Sequence, residues 1–223
     1  MASFTEDFDV LNGRMARCSR SADVAGKSVL DVGCSFGWFE EYALEMGARR
    51  IVGVDPNQQN LMVARRHVPH ACFVEGSATS LPFLNNSFEL ITMFDTIEHL
   101  PKGTEQSALV EIARVLEPGG ELVLSTPYDS LRARLLDPAW YLGHRHYSEA
   151  GLHRLMARAG LEVRATSRGG AIWESLGMLV FYIWKWGLRR NMPFKRWFDR
   201  KRAEEYARHD GFGTVFVHAV RVS

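Results

Sequence analysis

At 223 residues, with 46% apolar and 24% charged side chains, the chain is long enough to bury a full core and has the composition of one globular domain. A net charge of +1 gives no overall electrostatic case for nucleic acid or for an acidic partner. Cys18, Cys34 and Cys72 are odd in number, widely spaced and without a C-x-x-C, which argues against a disulfide framework and a zinc site. Early acids and no apolar core in the first seven residues argue against a signal peptide. A cytoplasmic protein is therefore expected.

In chain order, the apolar runs 29–32, 51–54, 72–74, 90–93 and 122–125 read as strands buried on both faces. Helical patterns lie between them at 38–46, 60–66 and 104–116. In the last of these, Leu109, Ile112, Val115 and Leu116 are spaced for one buried face. Gly119-Gly120 is expected to stop that helix and turn the chain into the fifth strand. A further helix at 152–159, ended by Gly160, leads to a strand at 161–165, and 214–222 reads as a terminal strand. Alternation of strand and helix implies a doubly wound α/β sheet in a single domain spanning 1–223. The stretch at about 171–210 stands apart as an insertion or lid. It has an aromatic, apolar beginning and then nine Lys or Arg against three acids between Lys185 and Arg208, a local charge of +6. Its charge-free part, 175–184, is too short to span a bilayer.

The most telling feature is the break after the first strand. Asp31-Val32-Gly33-Cys34-Ser35-Phe36-Gly37 sets close glycines after an apolar run, and the second strand ends in Asp55. Such glycines let the backbone approach a ligand, and an acid about 20 residues on suits a ribose diol. A dinucleotide fingerprint would have Gly where Ser35 stands, and Asp31 would repel a pyrophosphate. An acid there suits a cationic group instead, such as a zwitterionic amino-acid tail beside a sulfonium.

On these residues the chain resembles the class I S-adenosylmethionine-dependent methyltransferases, in motifs that run in order from about 28 to 166. The 31–37 loop is similar to that family's acid-x-Gly-x-Gly-x-Gly loop, with Ser35 departing at the middle glycine. Glu75 to Phe83 resembles the segment that usually carries Gly-Asp-Ala, with Ser77 in place of the Asp and Ala78 after it. Phe88-Glu89-Leu90-Ile91, Glu98-His99-Leu100 and Arg114 to Gly120 complete the pattern. The resemblance implies a Rossmann-like sheet of seven strands, the last antiparallel and inserted beside its neighbour. It implies S-adenosyl-L-methionine as cofactor, contacted by Asp31, Gly33, Ser35, Gly37, Asp55, Pro56, Ser77, Ala78 and Phe94. Each has a plainer role open to it: Asp55 as a helix cap before Pro56-Asn57, Ser35 as a turn residue, Ser77 satisfying backbone groups.

An oxygen acceptor must lose its proton, which suits an imidazole near neutral pH. His144 and His146 lie in a polar loop after the fifth strand and are the candidates for the base, with packing against Tyr147 as the simpler alternative. Asp95, Glu98 and His99 would share one face of a helix beginning there. They resemble the Glu-x-x-Glu-His of ubiquinone-pathway O-methyltransferases, which is associated with a divalent metal. Asp95 is one methylene shorter than that pattern, so a metal is not expected. The aromatic segment 173–186 reads as a lid over a hydrophobic acceptor, a core helix, or a peripheral membrane contact extending over 173–202. The expected activity is O-methylation of a small or lipid-linked molecule. The alternatives are a non-catalytic binding or scaffold protein, favoured by Ser35 and Ser77, and an RNA methyltransferase using the basic stretch. Nucleic acid is the less expected partner.

Overall fold

The apolar runs become strands, and the computed structural model joins them in one sheet. It describes residues 13–136, 140, 143–182, 184, 194–208 and 210–222. The strands are β1 (Ser28–Val32), β2 (Arg50–Asp55), β3 (Cys72–Glu75), β4 (Phe88–Phe94), β5 (Leu116–Pro127), β6 (Leu161–Gly169) and β7 (Thr214–Arg221). Their order is β3-β2-β1-β4-β5-β7-β6. Neighbours from β3 to β5 pair in parallel, while β7 runs antiparallel to both β5 and β6. The expected seven-stranded sheet, with its last strand inserted antiparallel, is what forms.

Successive residues of a strand face opposite sides, so the core divides by parity. Leu30, Val32, Val52, Val54, Ile91 and Met93 pack with α4 (Glu105–Val115) and α6 (Glu149–Arg158). Val29, Ile51, Leu90 and Val123 pack on the other face with α1 (Gly13–Ser21), α2 (Trp38–Glu45) and α8 (Lys195–Tyr206). On α4 the residues spaced for burial, Leu109, Ile112 and Val115, are wholly enclosed, as is Leu116. The end of that helix departs from expectation. It stops at Val115, and Leu116 already pairs with Phe88. Pairing resumes at Leu90 with Glu121, so residues 117–120 bulge out of the sheet and the two glycines shape the bulge.

Three helices were not legible as such: α1 has a polar sequence, α5 (Leu131–Leu136) is short, and α8 follows the aromatic segment, itself α7 (Ile172–Tyr182), between β6 and β7. Part of that segment's aromatic and basic stretch, 183 and 185–193, lies outside the described residues. α1 meets α8 at Gly13, where an added Cβ would lie 2.6 Å from the Ala203 Cα. Together α1, α7 and α8 cap the C-terminal ends of β4 and β5. No helix among the described residues is long and apolar enough to cross a membrane.

Candidate active site

The glycine loop is held open by its own backbone. The N–H groups of Gly33 and Cys34 donate to the Val54 carbonyl at 2.8 and 3.2 Å, and Gly37 N–H closes a turn on the Cys34 carbonyl at 3.0 Å. Gly33 has φ +85°, and a Cβ there would fall 2.2 Å from Thr96 Oγ1. Only glycine fits. Ser35, the departure from the usual glycine, takes φ +49° and so keeps the left-handed backbone a glycine would adopt. Its N–H donates to Asp55 Oδ2 at 3.0 Å, tying the loop crest to the end of β2. Asp55 Oδ1 accepts from Asn57 N–H at 2.8 Å. Asp55 is not the cap of α3 (Gln58–His67): Asn57 is, accepting from the N–H groups of Gln59 and Asn60. Asp55 instead bridges loop and strand, with Pro56 between it and the cap.

Three acids are buried around this loop. Asp31 Oδ1 accepts from Thr92 Oγ1 at 2.6 Å, and burial, with a smaller push from Asp55, raises its carboxyl to about 7. Glu40, on the first turn of α2, is wholly enclosed, and neither carboxylate oxygen has a hydrogen-bond partner. Burial and Asp31 push its proton affinity well up, against a smaller opposing effect of its own backbone amide. The carboxyl rests on β2 where Gly53 leaves room, since a Cβ at Gly53 would lie 2.3 Å from Glu40 Oε1. No Lys or Arg acts on Asp31 or Glu40 among the described residues. Uncompensated carboxyls beneath a glycine loop fit a cationic ligand and oppose a pyrophosphate. Cys34 sits in this floor as a small buried thiol that burial keeps protonated.

Adjacent strand ends extend the site in a line. Gly76 N–H donates to the Asp55 carbonyl at 3.2 Å, so the segment of Ser77 and Ala78 lies beside the acid. Ala78 is buried, whereas Ser77 is exposed and its hydroxyl pairs with Thr79 Oγ1 at 2.8 Å, the local role open to it from sequence. On the other side, Phe94 ends β4 and packs on Phe39 and Trp38, with ring centroids at 5.2 and 5.9 Å.

Past Phe94 the expected shared helix face of Asp95, Glu98 and His99 does not form. The chain makes a short 3-10 turn at Ile97–His99, and the three side chains diverge. Asp95 pairs with Arg14 Nε at 3.2 Å and accepts from Ser125 Oγ. Glu98 accepts from Thr126 Oγ1 at 2.9 Å, and burial beside Asp95 raises it to about 8. His99 meets the His144 ring at 4.6 Å and is lowered by burial and by that ring. Among the described residues no cluster of three or more acids, histidines or cysteines is placed to hold a metal.

Arg145, which the sequence reading passed over, fixes the histidine loop. It donates to the carbonyls of Ile97 (3.1 Å), Glu98 and Leu100 and pairs with Glu105. Tyr147 adds a bond to the Ile97 carbonyl at 3.2 Å. His144 is thereby turned onto His99, while His146 packs on Trp140 and borders a 60 Å³ cavity with Arg14, Glu174 and Thr214. A larger cavity of 440 Å³ between α7, α8 and the turn before β7 is lined by none of the expected site residues.

A family model described as a methyltransferase domain matches residues 30–124. The ubiquinone biosynthesis O-methyltransferase of Neisseria meningitidis serogroup A is 31% identical over 167 residues, covering 65% of this chain and 68% of that protein. The fatty-acid O-methyltransferase of Mycolicibacterium smegmatis is 33% identical over 141 residues, 62% of this chain and 48% of that one. In several such alignments the chain spans about half the length of the relative, from 46% to 54%. The S-adenosylmethionine-dependent methyltransferase of Mesorhizobium loti shares the fold with a TM-score of 0.67, over 96% of this chain and 100% of that chain at 18% identity. The sheet order, the glycine loop with its acids and these alignments agree: the chain belongs to the class I S-adenosylmethionine-dependent methyltransferase family.

Proposed function

We propose that this protein transfers a methyl group from S-adenosyl-L-methionine to an oxygen atom of a small or lipid-linked acceptor. The observation that carries the reading is the loop at 33–37 over the buried carboxyls of Asp31, Glu40 and Asp55, with no Lys or Arg acting on Asp31 or Glu40 among the described residues. Asp31 and the loop amides suit the amino-acid end of the cofactor. Asp55 keeps acceptor capacity for a ribose diol beyond its two backbone bonds, and Ala78 and Phe94 flank the adenosine. When bound, the cofactor supplies a sulfonium methyl that an in-line nucleophile displaces. The protein's part is alignment and removal of a proton. His146 borders the small cavity at the acceptor edge and is the better candidate for that proton, while His144 is engaged with His99. Arg145 holds both in register. The two related O-methyltransferases support oxygen as the acceptor atom. Ser35 does not argue for a non-catalytic scaffold, because it preserves the loop's backbone geometry.

The surface of the cap favours a lipid-linked acceptor. Leu131 and Leu135 on α5 and Ile172, Leu176 and Leu179 on α7 are exposed at helical spacing, with Arg196 and Arg200 on α8 also at the surface. The test is transfer of labelled methyl from S-adenosylmethionine into total cell extract. Label in an organic-extractable small molecule is expected. Label confined to RNA or protein, or none at all, contradicts the proposal. Flotation with anionic vesicles, weakened by Ile172→Ser with Leu176→Ser, tests the membrane contact.

A further inference from the structure

The acceptor edge contains a guanidinium whose donors the protein does not use up. Arg14 lies one residue into α1, and the contact of Gly13 with α8 sets it over the ends of β4 and β5. Its Nε faces Asp95 Oδ2 at 3.2 Å. Among the described residues its two terminal nitrogens make no hydrogen bond, although Glu174 and Tyr206 add to the favourable field of Asp95 around it, and the side chain lines the same 60 Å³ cavity as His146. Glu174 also borders that cavity, but Arg202 grips both of its oxygens, Nη2 to Oε1 at 3.0 Å. Thr214 is engaged by the Tyr206 hydroxyl at 3.1 Å. Arg14 therefore presents an open fork to a space about as large as two water molecules. That space admits a carboxylate, not a ring.

We propose that Arg14 binds a carboxylate on the methyl acceptor, so that the acceptor is an acid and Arg14 its specificity-determining residue. A guanidinium presents paired donors that match a carboxylate bidentately, which neither a hydroxyl nor an amine can reproduce. The charge count agrees. Arg14 and Arg202 are balanced by Asp95 and Glu174, and burial holds the neighbouring Glu98 largely protonated at neutral pH. A sulfonium cofactor carries one net positive charge, which an anionic acceptor neutralises. The matching class is a hydroxy acid, its carboxylate seated in the cavity against Arg14 and its ring or chain outside it. The inference rests on the proposed methyl transfer at this edge of the sheet.

The experiment is a titration of the full chain, saturated with S-adenosylhomocysteine, with two matched pairs of probes. These are 3,4-dihydroxybenzoate against 4-methylcatechol and 10-hydroxydecanoate against 1,10-decanediol. At least one acid is expected to bind about 10-fold more tightly than its neutral partner. Arg14→Gln should erase that preference and Arg14→Lys should retain part of it, both with unchanged affinity for S-adenosylhomocysteine, which also reports an intact fold. Equal binding of acid and neutral partner in both pairs, including none by either, overturns the inference, as does a preference that survives Arg14→Gln. If S-adenosylhomocysteine itself fails to bind, the cofactor reading falls, and this inference with it.

Discussion

The floor under the glycine loop and the cap over the acceptor edge both bury charge, but on opposite terms. In the floor, Asp31 and Glu40 have no cation among the described residues, and the folded protein accommodates them by holding their protons. In the cap, two acids have arginines: Asp95 pairs with Arg14 and Glu174 with Arg202. A buried charge is tolerated only when it is paired or neutralised. The cap must hold itself onto the sheet, so its charges are paired within the protein. The floor leaves its acids to a cationic ligand. The acceptor edge mixes the two, because Arg14 is paired with Asp95 through Nε while its terminal nitrogens make no hydrogen bond among the described residues.

The contrast can be broken at several points. His146→Ala is expected to have the largest effect, lowering kcat by about 100-fold or more as a lost general base, with cofactor affinity unchanged. An equal loss of cofactor binding would make His146 structural. Asp55→Ala should weaken S-adenosylmethionine binding about 10- to 100-fold by calorimetry, from lost charged hydrogen bonds worth about 1.5–3 kcal/mol. Wild-type affinity in that variant would remove Asp55 from the site. Glu40→Leu replaces an orphaned carboxyl with an apolar side chain of similar size and should raise stability at neutral pH by about 1–3 kcal/mol in denaturant unfolding. The sign follows from linkage. Acids whose folded-state proton affinity is raised make the native state lose stability as pH climbs from about 4 to about 8, because the unfolded chain releases those protons first. Glu40→Leu should therefore flatten the fall of stability over that window, and a destabilised variant would mean that the carboxyl has a partner in the native protein. Ser35→Gly should give the smallest change, a gain of up to about 1 kcal/mol from relieved left-handed strain, with cofactor affinity preserved.

The floor was legible in the sequence because it is local. Asp31 to Gly37 and Asp55 follow one another along a strand, a turn and the next strand, and hydrogen bonds to neighbouring backbone hold them where the spacing places them. Parity along β1 and β2 and the spacing of Leu109, Ile112 and Val115 likewise prescribe which side chains meet. The cap was not legible. Arg14, Asp95, His146, Glu174 and Arg202 come from five separate stretches; local patterns marked Asp95 and His146, but nothing local marks Arg14, Glu174 or Arg202 or shows that the five meet. α1 is a helix through its packing on α8 at Gly13 rather than through an apolar stripe of its own. Glu40 was not singled out in the sequence; it is buried because Gly53, on another strand, leaves room for its carboxyl. Local spacing also misled: Asp95, Glu98 and His99 do not share a helix face, because the chain forms a 3-10 turn there and Arg14 claims the aspartate.

The most direct test of the central claim, that the floor is built for a cation, is calorimetric titration with S-adenosylmethionine at pH values from 5.5 to 8.5. Binding at one site per chain is expected, with affinity rising through pH 7 as Asp31 gives up its proton to face the cationic ligand, and with that rise lost in Asp31→Asn. Affinity that is flat across this range, or tight binding of a pyrophosphate-bearing dinucleotide in its place, would contradict the account.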